Sequence, residues 1–182
     1  MFMADSGLFE ILYREYYPRV FALCRRFLLT HECAEDAAQE TFARAYKSFR
    51  HYQPVRPFWH WIATIAHHHC LDKLRQAGRW EDIHAESNPD ADRLETPEPL
   101  VVDVLIAAET QAQLNAAIDA LPEKYRVPLV LAYLVHLSYG EIAILLGTNR
   151  NHVGILLLRA KQQLRRCLQQ PINVRALTRG VE

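Results

Sequence analysis

The stretch Ser138-Tyr-Gly-Glu-Ile-Ala-Ile-Leu-Leu-Gly-Thr-Asn-Arg-Asn-His-Val153 predicts two helices joined by a tight turn. Ser138 followed three residues later by Glu141 is a capping box that starts the first helix. Gly147 ends that helix, because a left-handed cap favours glycine, and Asn149 can cap the second helix. The pattern is typical of a helix-turn-helix, which lays its second helix in a DNA groove. Any helix hairpin with a glycine turn gives a similar pattern, so a purely structural role stays open.

The second helix begins with hydrogen-bond donors and continues with apolar residues. Arg150, Asn151 and His152 stand in its first turn, where a recognition helix presents donors to base edges and phosphates. The following run from 155 to 158, Ile-Leu-Leu-Leu, covers most of the helix circumference. We therefore expect part of this run to face outward, where an apolar patch usually marks a protein contact.

The composition of the 182 residues predicts an all-α protein with compact cores. Half of the residues are apolar, glycine is scarce, and no long segment alternates polar and apolar residues as a strand would. No apolar run reaches the roughly 18 residues that span a bilayer, and the N-terminus lacks the features of a signal peptide. We expect a cytoplasmic protein that does not insert into a membrane.

The net charge of zero hides two basic segments around an acidic one. Residues 1–80 carry a net charge of plus three, residues 81–110 minus eight, and residues 111–182 plus five. The acidic segment also contains Pro89, Pro97 and Pro99, which disfavour helix. The pattern predicts two small helical domains joined by a flexible acidic linker near 81–104. A solvated spacer is the ordinary role of such a segment.

The N-terminal segment predicts three helices. Apolar residues from Phe9 to Phe27 recur at helical spacing, with a bend expected at Pro18. A second helix is predicted from Ala34 to Phe49, and the face opposite its core stripe is charged. That face either keeps the helix soluble or meets a partner.

A third helix is predicted from Phe58 to about Arg79, after a loop with two prolines. We expect its buried stripe to hold Phe58, Trp61, Ile62 and Ile65. A basic, aromatic surface is expected from Trp59, His60, His67, Lys73, Arg75 and Arg79. Such a surface suits single-stranded nucleic acid, since bases stack on aromatic rings while cations follow the backbone. Core packing and solubility explain the same residues equally well.

The C-terminal segment predicts a helix from Val104 to Ala120, broken at Leu121 and Pro122. The next helix is expected to start shortly before Pro128, because proline is tolerated best in a first turn, and to run to His136. The helix-turn-helix follows, and its last helix is expected to end before Pro171.

The cysteines and histidines do not predict a metal centre. Cys24, Cys33, Cys70 and Cys167 lack the spacing of a zinc ribbon, and we expect them to be mainly small buried hydrophobes. The adjacent histidines from His67 to His69 point about 100° apart on a helix, so they do not converge on one ion. No nucleophile with a base and no phosphate loop appears either. We expect neither a cofactor nor an enzyme.

Three motifs in chain order resemble those of the extracytoplasmic-function sigma factors of bacterial RNA polymerase. The segment 34–46, Ala-Glu-Asp-Ala-Ala-Gln-Glu-Thr-Phe-Ala-Arg-Ala-Tyr, is similar to the polymerase-binding helix of that family. The segments 58–66, Phe-Trp-His-Trp-Ile-Ala-Thr-Ile-Ala, and 71–75, Leu-Asp-Lys-Leu-Arg, are similar to its promoter-melting helix. The stretch 121–126, Leu-Pro-Glu-Lys-Tyr-Arg, with 137–143 and 146–147, resembles its terminal DNA-binding domain.

The resemblance implies a role for each part of the chain. Residues 1–80 would bind polymerase and the minus-ten element, 81–104 would be the linker, 105–170 would read the minus-thirty-five element, and 171–182 would be a tail. The polymerase contacts would be Asp36, Gln39, Glu40 and Arg44. The minus-ten contacts would be Tyr52, Arg56, Trp59, His60, His67, His68, Lys73, Arg75 and Arg79. The minus-thirty-five contacts would be Ser138, Thr148, Asn149, Arg150, Asn151, His152, Arg159 and Lys161.

The implied partners are core RNA polymerase, promoter DNA and an anti-sigma factor held between the two domains. The chain departs from the family pattern at Gly154, Ile155 and Leu156, where a basic residue, a small hydroxyl and an arginine are usual. A second hypothesis is therefore a sigma-like interaction protein that reads DNA weakly and acts through a protein partner. An ordinary helix-turn-helix repressor is a third, against which the two-domain layout argues.

Overall fold

The computed structural model describes residues 2–52, 55, 57–78 and 111–169, with side chains from residue 7 onward. Within these ranges the chain forms α1 (Phe2–Leu28), α2 (His31–Ser48), α3 (Phe58–Gln76), α4 (Gln111–Asp119), α5 (Glu123–Tyr133), α6 (Tyr139–Leu146) and α7 (Arg150–Gln169). A 3₁₀ turn, Phe49–His51, follows α2. No strand occurs in the described ranges, which confirms the all-α prediction.

Helices α1, α2 and α3 pack against one another and are called the N-terminal group below. Small residues line the buried face of α2, at Ala34, Ala37, Ala38 and Ala45, so the neighbouring helices approach it closely. Large side chains of α1, including Leu23 and Phe27, fill the space between. Burial of each such side chain stabilises the fold by about 1.5–3 kcal/mol. Helix α1 continues through Pro18.

Helix α2 begins three residues before the predicted start, because a local cap fixes its first turn. The Thr30 hydroxyl accepts a hydrogen bond from the backbone N–H of Cys33 at 3.4 Å. The predicted core stripe of α2 is confirmed at Ala34, Ala38, Thr41, Phe42 and Ala45. Its charged residues therefore face away from the core.

Helices α4 to α7 form a second cluster, the C-terminal group, in which α7 contacts the other three. The predicted capping box is present: the Ser138 hydroxyl accepts from the Glu141 N–H, and the Glu141 carboxylate accepts from the Ser138 N–H at 2.8 Å. Gly147 ends α6 with φ of 64°. Asn149 Oδ1 accepts from the backbone N–H of His152 at 2.7 Å. The turn chemistry predicted from sequence is therefore confirmed.

The predicted start of α5 was wrong, because Pro128 lies within the helix and not in its first turn. The helix begins at Glu123, directly after Pro122. Pro128 removes one helical hydrogen bond. The helix tolerates this loss because Val127, Val130 and Leu131 are fully buried in the core.

Several predicted features lie outside the described residues. These are the linker at 81–104, the start of a helix at Val104, the tail at 171–182, and the side chains of Arg56 and Arg79. In the part of the chain that is described, no helix has both the length and the apolar character needed to cross a membrane.

Candidate functional site

The charged face of α2 is open to solvent. Asp36, Gln39 and Arg44 are exposed and Glu40 is half-buried. The Arg44 Nε donates to Glu40 Oε1 at 2.7 Å, and this hydrogen bond lowers the pKa of the Glu40 carboxyl. The solvent-facing side of α2 therefore carries two carboxylates, an amide and a guanidinium, while the opposite face of the helix is core.

An open depression of about 500 Å³ lies beside this face, between α2 and α3. Its lining includes Asp36, Gln39, Glu40, His69 and Lys73. The His69 side chain is 7% exposed, and neither ring nitrogen has a hydrogen-bond partner within the described chain. Burial, and then the charges of Arg44 and Lys73, lower the pKa of His69. The histidine is therefore neutral at pH 7.

Trp59 is buried, so it is not on the nucleic-acid surface that the sequence predicted. It is 6% exposed, on the same face of α3 as Ile62 and Ala66, which are completely buried. The Arg19 guanidinium covers the ring, 3.7 Å from its centre, and closes it off from solvent. Trp61, predicted to be core, is only partly buried. Trp59 is therefore the buried tryptophan and Trp61 the accessible one, which is the reverse of the prediction from sequence.

His67 is also buried, at 1% exposure, which corrects its assignment as a DNA contact. Its helical position places it with Ala63, Cys70 and Leu74 on the core face of α3. Its Nδ1 donates to the Ala63 carbonyl at 2.8 Å. Burial, helped by nearby His68, lowers the pKa of His67 to about 4. Because the His67 ring is buried, it cannot reach a DNA phosphate, whereas His68 is exposed.

The exposed end of α3 and the turn before it line a cleft of about 660 Å³. His51, Tyr52, His60, Trp61 and Thr64 form one wall. The Tyr52 and Trp61 rings lie 5.1 Å apart. This wall combines aromatic faces with imidazoles and a hydroxyl, the groups on which unstacked bases can stack and hydrogen-bond. The sequence reasoning missed Trp61 and Thr64; Thr64 carries no charge or ring that would have singled it out.

Helix α7, which the sequence predicts to be a recognition helix, presents fewer donors than expected. Arg150 and Arg159 are exposed, and Asn151 and Thr148 are partly buried. His152 is 3% exposed, because it shares a face with Val153 and Leu156, so its assignment as a DNA contact is corrected. Ser138 and Asn149 are exposed, but their side-chain oxygens cap helices. Lys161 lies beside the Tyr133 ring, 5.8 Å from its centre.

Most of the apolar run on α7 belongs to the core. Leu156 and Leu157 are 1% exposed, Ile155 is partly buried, and only Leu158 is clearly exposed, at 45%. The prediction that part of this run faces outward is therefore confirmed at Leu158, whereas Leu156 and Leu157 are core residues. Their burial against the C-terminal group accounts for their apolar character without a protein partner.

The cysteines divide between core and surface. Cys24 and Cys70 are buried between α1 and α3, as expected, whereas Cys33 and Cys167 are exposed, so the expectation of a buried cysteine was wrong for these two. Among the described side chains, no three of His, Cys, Asp and Glu come together in a way that could hold a metal ion.

Two protein families match the chain, and they divide it as the two groups of helices do. Sigma-70 region 2 matches residues 12–79, and Sigma-70 region 4 matches residues 111–164. The RNA polymerase sigma factor YlaC of Bacillus subtilis is 31% identical over 170 residues, which cover 90% of this chain and 94% of that protein. The ECF RNA polymerase sigma factor SigE of Mycolicibacterium smegmatis is 36% identical over 155 residues, 85% of this chain. The match spans only 59% of the length of that relative.

The fold also matches a solved structure. The sigma factor RpoE from Bartonella quintana, in its complex with the anti-sigma factor NepR, superposes with a TM-score of 0.55. The superposition covers 88% of this chain and 96% of that one, at 19% sequence identity. The sequence matches and the order of the two regions agree with the motifs on α2, α3 and α6. The chain therefore belongs to the extracytoplasmic-function sigma factors of bacterial RNA polymerase.

Proposed function

We propose that this chain binds core RNA polymerase through α2, directs it to one class of promoters and helps to open the DNA there. The observation that carries the proposal is the exposed face of Asp36, Gln39, Glu40 and Arg44 beside a fully packed core face of the same helix. The catalytic chemistry belongs to the polymerase, and this chain acts as a specificity subunit.

The proposed minus-ten surface follows the cleft and the exposed side of α3. It comprises Tyr52, His60, Trp61, Thr64, His68, Lys73 and Arg75, with Arg56 and Arg79 as further contacts proposed from sequence. Trp59 and His67 are not proposed as DNA contacts, because both side chains are buried. Unpairing a base costs a few kcal/mol, which stacking on aromatic side chains offsets.

The proposed minus-thirty-five surface is the N-terminal half of α7 with the turn before it. Thr148, Arg150, Asn151 and Arg159 are its proposed contacts. The positive end of the helix dipole at Arg150 adds attraction for a phosphate. Residues 1–80 and 105–170 remain the proposed limits of the two domains, joined by the linker at 81–104.

The second hypothesis, an interaction protein with weakened DNA reading, loses much of its support. It depended on an outward apolar run, and Leu156 and Leu157 are core residues. An anti-sigma partner remains a proposal for this chain; the structurally similar sigma factor RpoE was solved in complex with the anti-sigma factor NepR.

Reversal of charge on α2 tests the proposal. The double variant Asp36→Arg and Glu40→Arg should lose copurification with core polymerase, because it places cations where the proposed surface is anionic. The matched control is Glu10→Arg with Glu15→Arg, which makes the same charge change on exposed positions of α1. Far-UV circular dichroism should show that both variants fold. Unchanged copurification of the α2 variant would overturn the assignment.

A further inference from the structure

A small apolar cavity lies in the C-terminal group, between α4, α5 and α7. Its volume is about 300 Å³, at the lower end of the range for pockets that bind small molecules. Most of its wall is aliphatic, and the side chains that form this part are Leu114, Ile118, Leu129, Leu134 and Leu164. None of the DNA contacts proposed above lines the cavity, so a ligand there does not occupy the promoter surface.

The charged part of the wall is cationic. Lys161 of α7 and Arg26 of α1 supply the charge, the amides of Gln111 and Asn115 also line the cavity, and none of the described lining residues is acidic. Arg26 donates through Nη1 to Asp119 Oδ1 at 2.6 Å, so this carboxylate offsets part of the charge of the guanidinium. Its other Nη1 contact is the Asn115 carbonyl at 3.1 Å. A guanidinium has five N–H donors, of which these two contacts use at most two. The wall is therefore suited to an anion.

Tyr133 brings to the wall a hydroxyl group that lacks a partner. Its side chain lines the cavity, and its hydroxyl is buried and makes no hydrogen bond within the described chain. Burial, and to a smaller extent Tyr139, raises the pKa of Tyr133 to about 12, so the phenol is protonated at pH 7 and can donate. Lys161 Nζ lies 5.8 Å from the centre of the Tyr133 ring. A buried hydroxyl without a partner is destabilising, and an oxygen atom of a ligand would relieve this cost.

We propose that this cavity binds a small carboxylate with an aliphatic tail of medium length. The tail packs against the leucine and isoleucine side chains, and the volume of the cavity limits its length. The carboxylate pairs with Lys161 and Arg26 and accepts a hydrogen bond from the Tyr133 hydroxyl. This site goes beyond the proposed function and does not depend on it, because it includes no proposed polymerase or DNA contact.

Octanoate is the probe for this site, and octanol, which has the same tail length without the charge, is the matched control. Isothermal titration calorimetry of the full chain at pH 7, with octanoate below its micelle-forming concentration, measures both affinities. We expect saturable binding of octanoate at one site and binding of octanol that is weaker by about tenfold or more, since octanol makes no charge-assisted hydrogen bond. Absence of saturable octanoate binding, or equal affinities for the two compounds, would overturn the proposal.

A substitution at Lys161 locates the carboxylate. Lys161→Met keeps the aliphatic stem and removes the charge, so the affinity for octanoate should fall about tenfold while the affinity for octanol stays the same. Arg166→Met is the matched control, because it removes a charge from an exposed position of α7 that does not line the cavity. Far-UV circular dichroism should show that both variants fold. Equal affinities of the two variants for octanoate would contradict the proposed site.

Tyr133→Phe separates a binding role of the hydroxyl from a structural one. Removal of a hydroxyl that has no partner in the described chain should not lower the melting temperature of the ligand-free protein. Octanoate should raise the melting temperature of the unchanged chain, because a ligand that binds only the folded state stabilises it. The rise should be smaller in Tyr133→Phe, and its Kd for octanoate should be about fivefold higher. An unchanged Kd would contradict the role of the hydroxyl in this site.

Discussion

Arg126 Nε donates a hydrogen bond to the main-chain carbonyl of Arg26 at 2.9 Å, across the boundary between the two groups of helices. The last carbonyls of a helix have no partner within it, and Arg26 is two residues from the end of α1. The same guanidinium also binds Leu121 and Glu123 within its own group. One side chain therefore stabilises the start of α5 and the contact between the groups.

Substitution Arg126→Met should lower the free energy of unfolding by about 2–4 kcal/mol, because it leaves buried acceptors without donors. Urea denaturation followed by far-UV circular dichroism measures the change. Arg14→Met is the control, since Arg14 is exposed and its ion pair with Glu10 is worth at most about 1 kcal/mol. Equal urea midpoints for Arg126→Met and Arg14→Met would contradict a stabilising role of the buried Arg126 guanidinium.

Stability should fall as the pH is lowered from about 6.5 to about 4, partly through His67. The unfolded chain binds a proton near the ordinary histidine pKa of 6.5, whereas buried His67 resists protonation until about pH 4. The unfolded state thus binds more protons in this window, and acid favours it. In the His67→Leu variant, the free energy of unfolding should therefore fall by up to about 3 kcal/mol less than in the unchanged chain over this pH range.

His68→Leu is a matched control for that pH profile. Its Nδ1 donates to the Thr64 carbonyl at 2.8 Å, as His67 does to Ala63, but His68 is exposed. Burial is the larger cause of the lowered pKa of His67 and the neighbouring His68 the smaller one, so the difference between the urea midpoints at pH 7 and pH 4.5 should shrink less in His68→Leu than in His67→Leu. The burial argument fails if His67→Leu keeps the full pH dependence.

Gly140, within α6, and Gly147, which caps its end, should respond to substitution by alanine with opposite signs. Gly147→Ala should cost about 1–2 kcal/mol, because its φ of 64° is unfavourable for a side chain. Gly140→Ala should stabilise by about 0.5–1 kcal/mol, since it lies in the helix and an added Cβ meets nothing within 4 Å. Scanning calorimetry of both variants measures the change in stability. Equal destabilisation by Gly140→Ala and Gly147→Ala would refute the prediction.

The parts of the fold predicted from sequence are those that neighbouring residues determine. The capping box of Ser138 and Glu141, the cap at Asn149 and the left-handed Gly147 all involve residues within one turn of each other. The alanine stripe of α2 follows from helical periodicity alone. Such signals do not depend on what packs against the helix.

The missed features depend on contacts between distant segments. Trp59 and Trp61 lie about 200° apart on α3, and the position of Arg19 on α1 decides which of them is covered. Arg126 was not predicted to be buried because one of its partners lies a hundred residues away. Pro128 is tolerated in α5 because tertiary burial offsets its lost hydrogen bond.

Run-off transcription with purified core RNA polymerase tests the central claim most directly. The templates are promoter fragments from the cell in which the chain occurs, and each reaction is run with and without the chain. We expect transcripts from defined start sites only when the chain is present, and their loss with the Asp36→Arg and Glu40→Arg variant. Binding of the chain to polymerase without any chain-dependent transcript would contradict the proposed function.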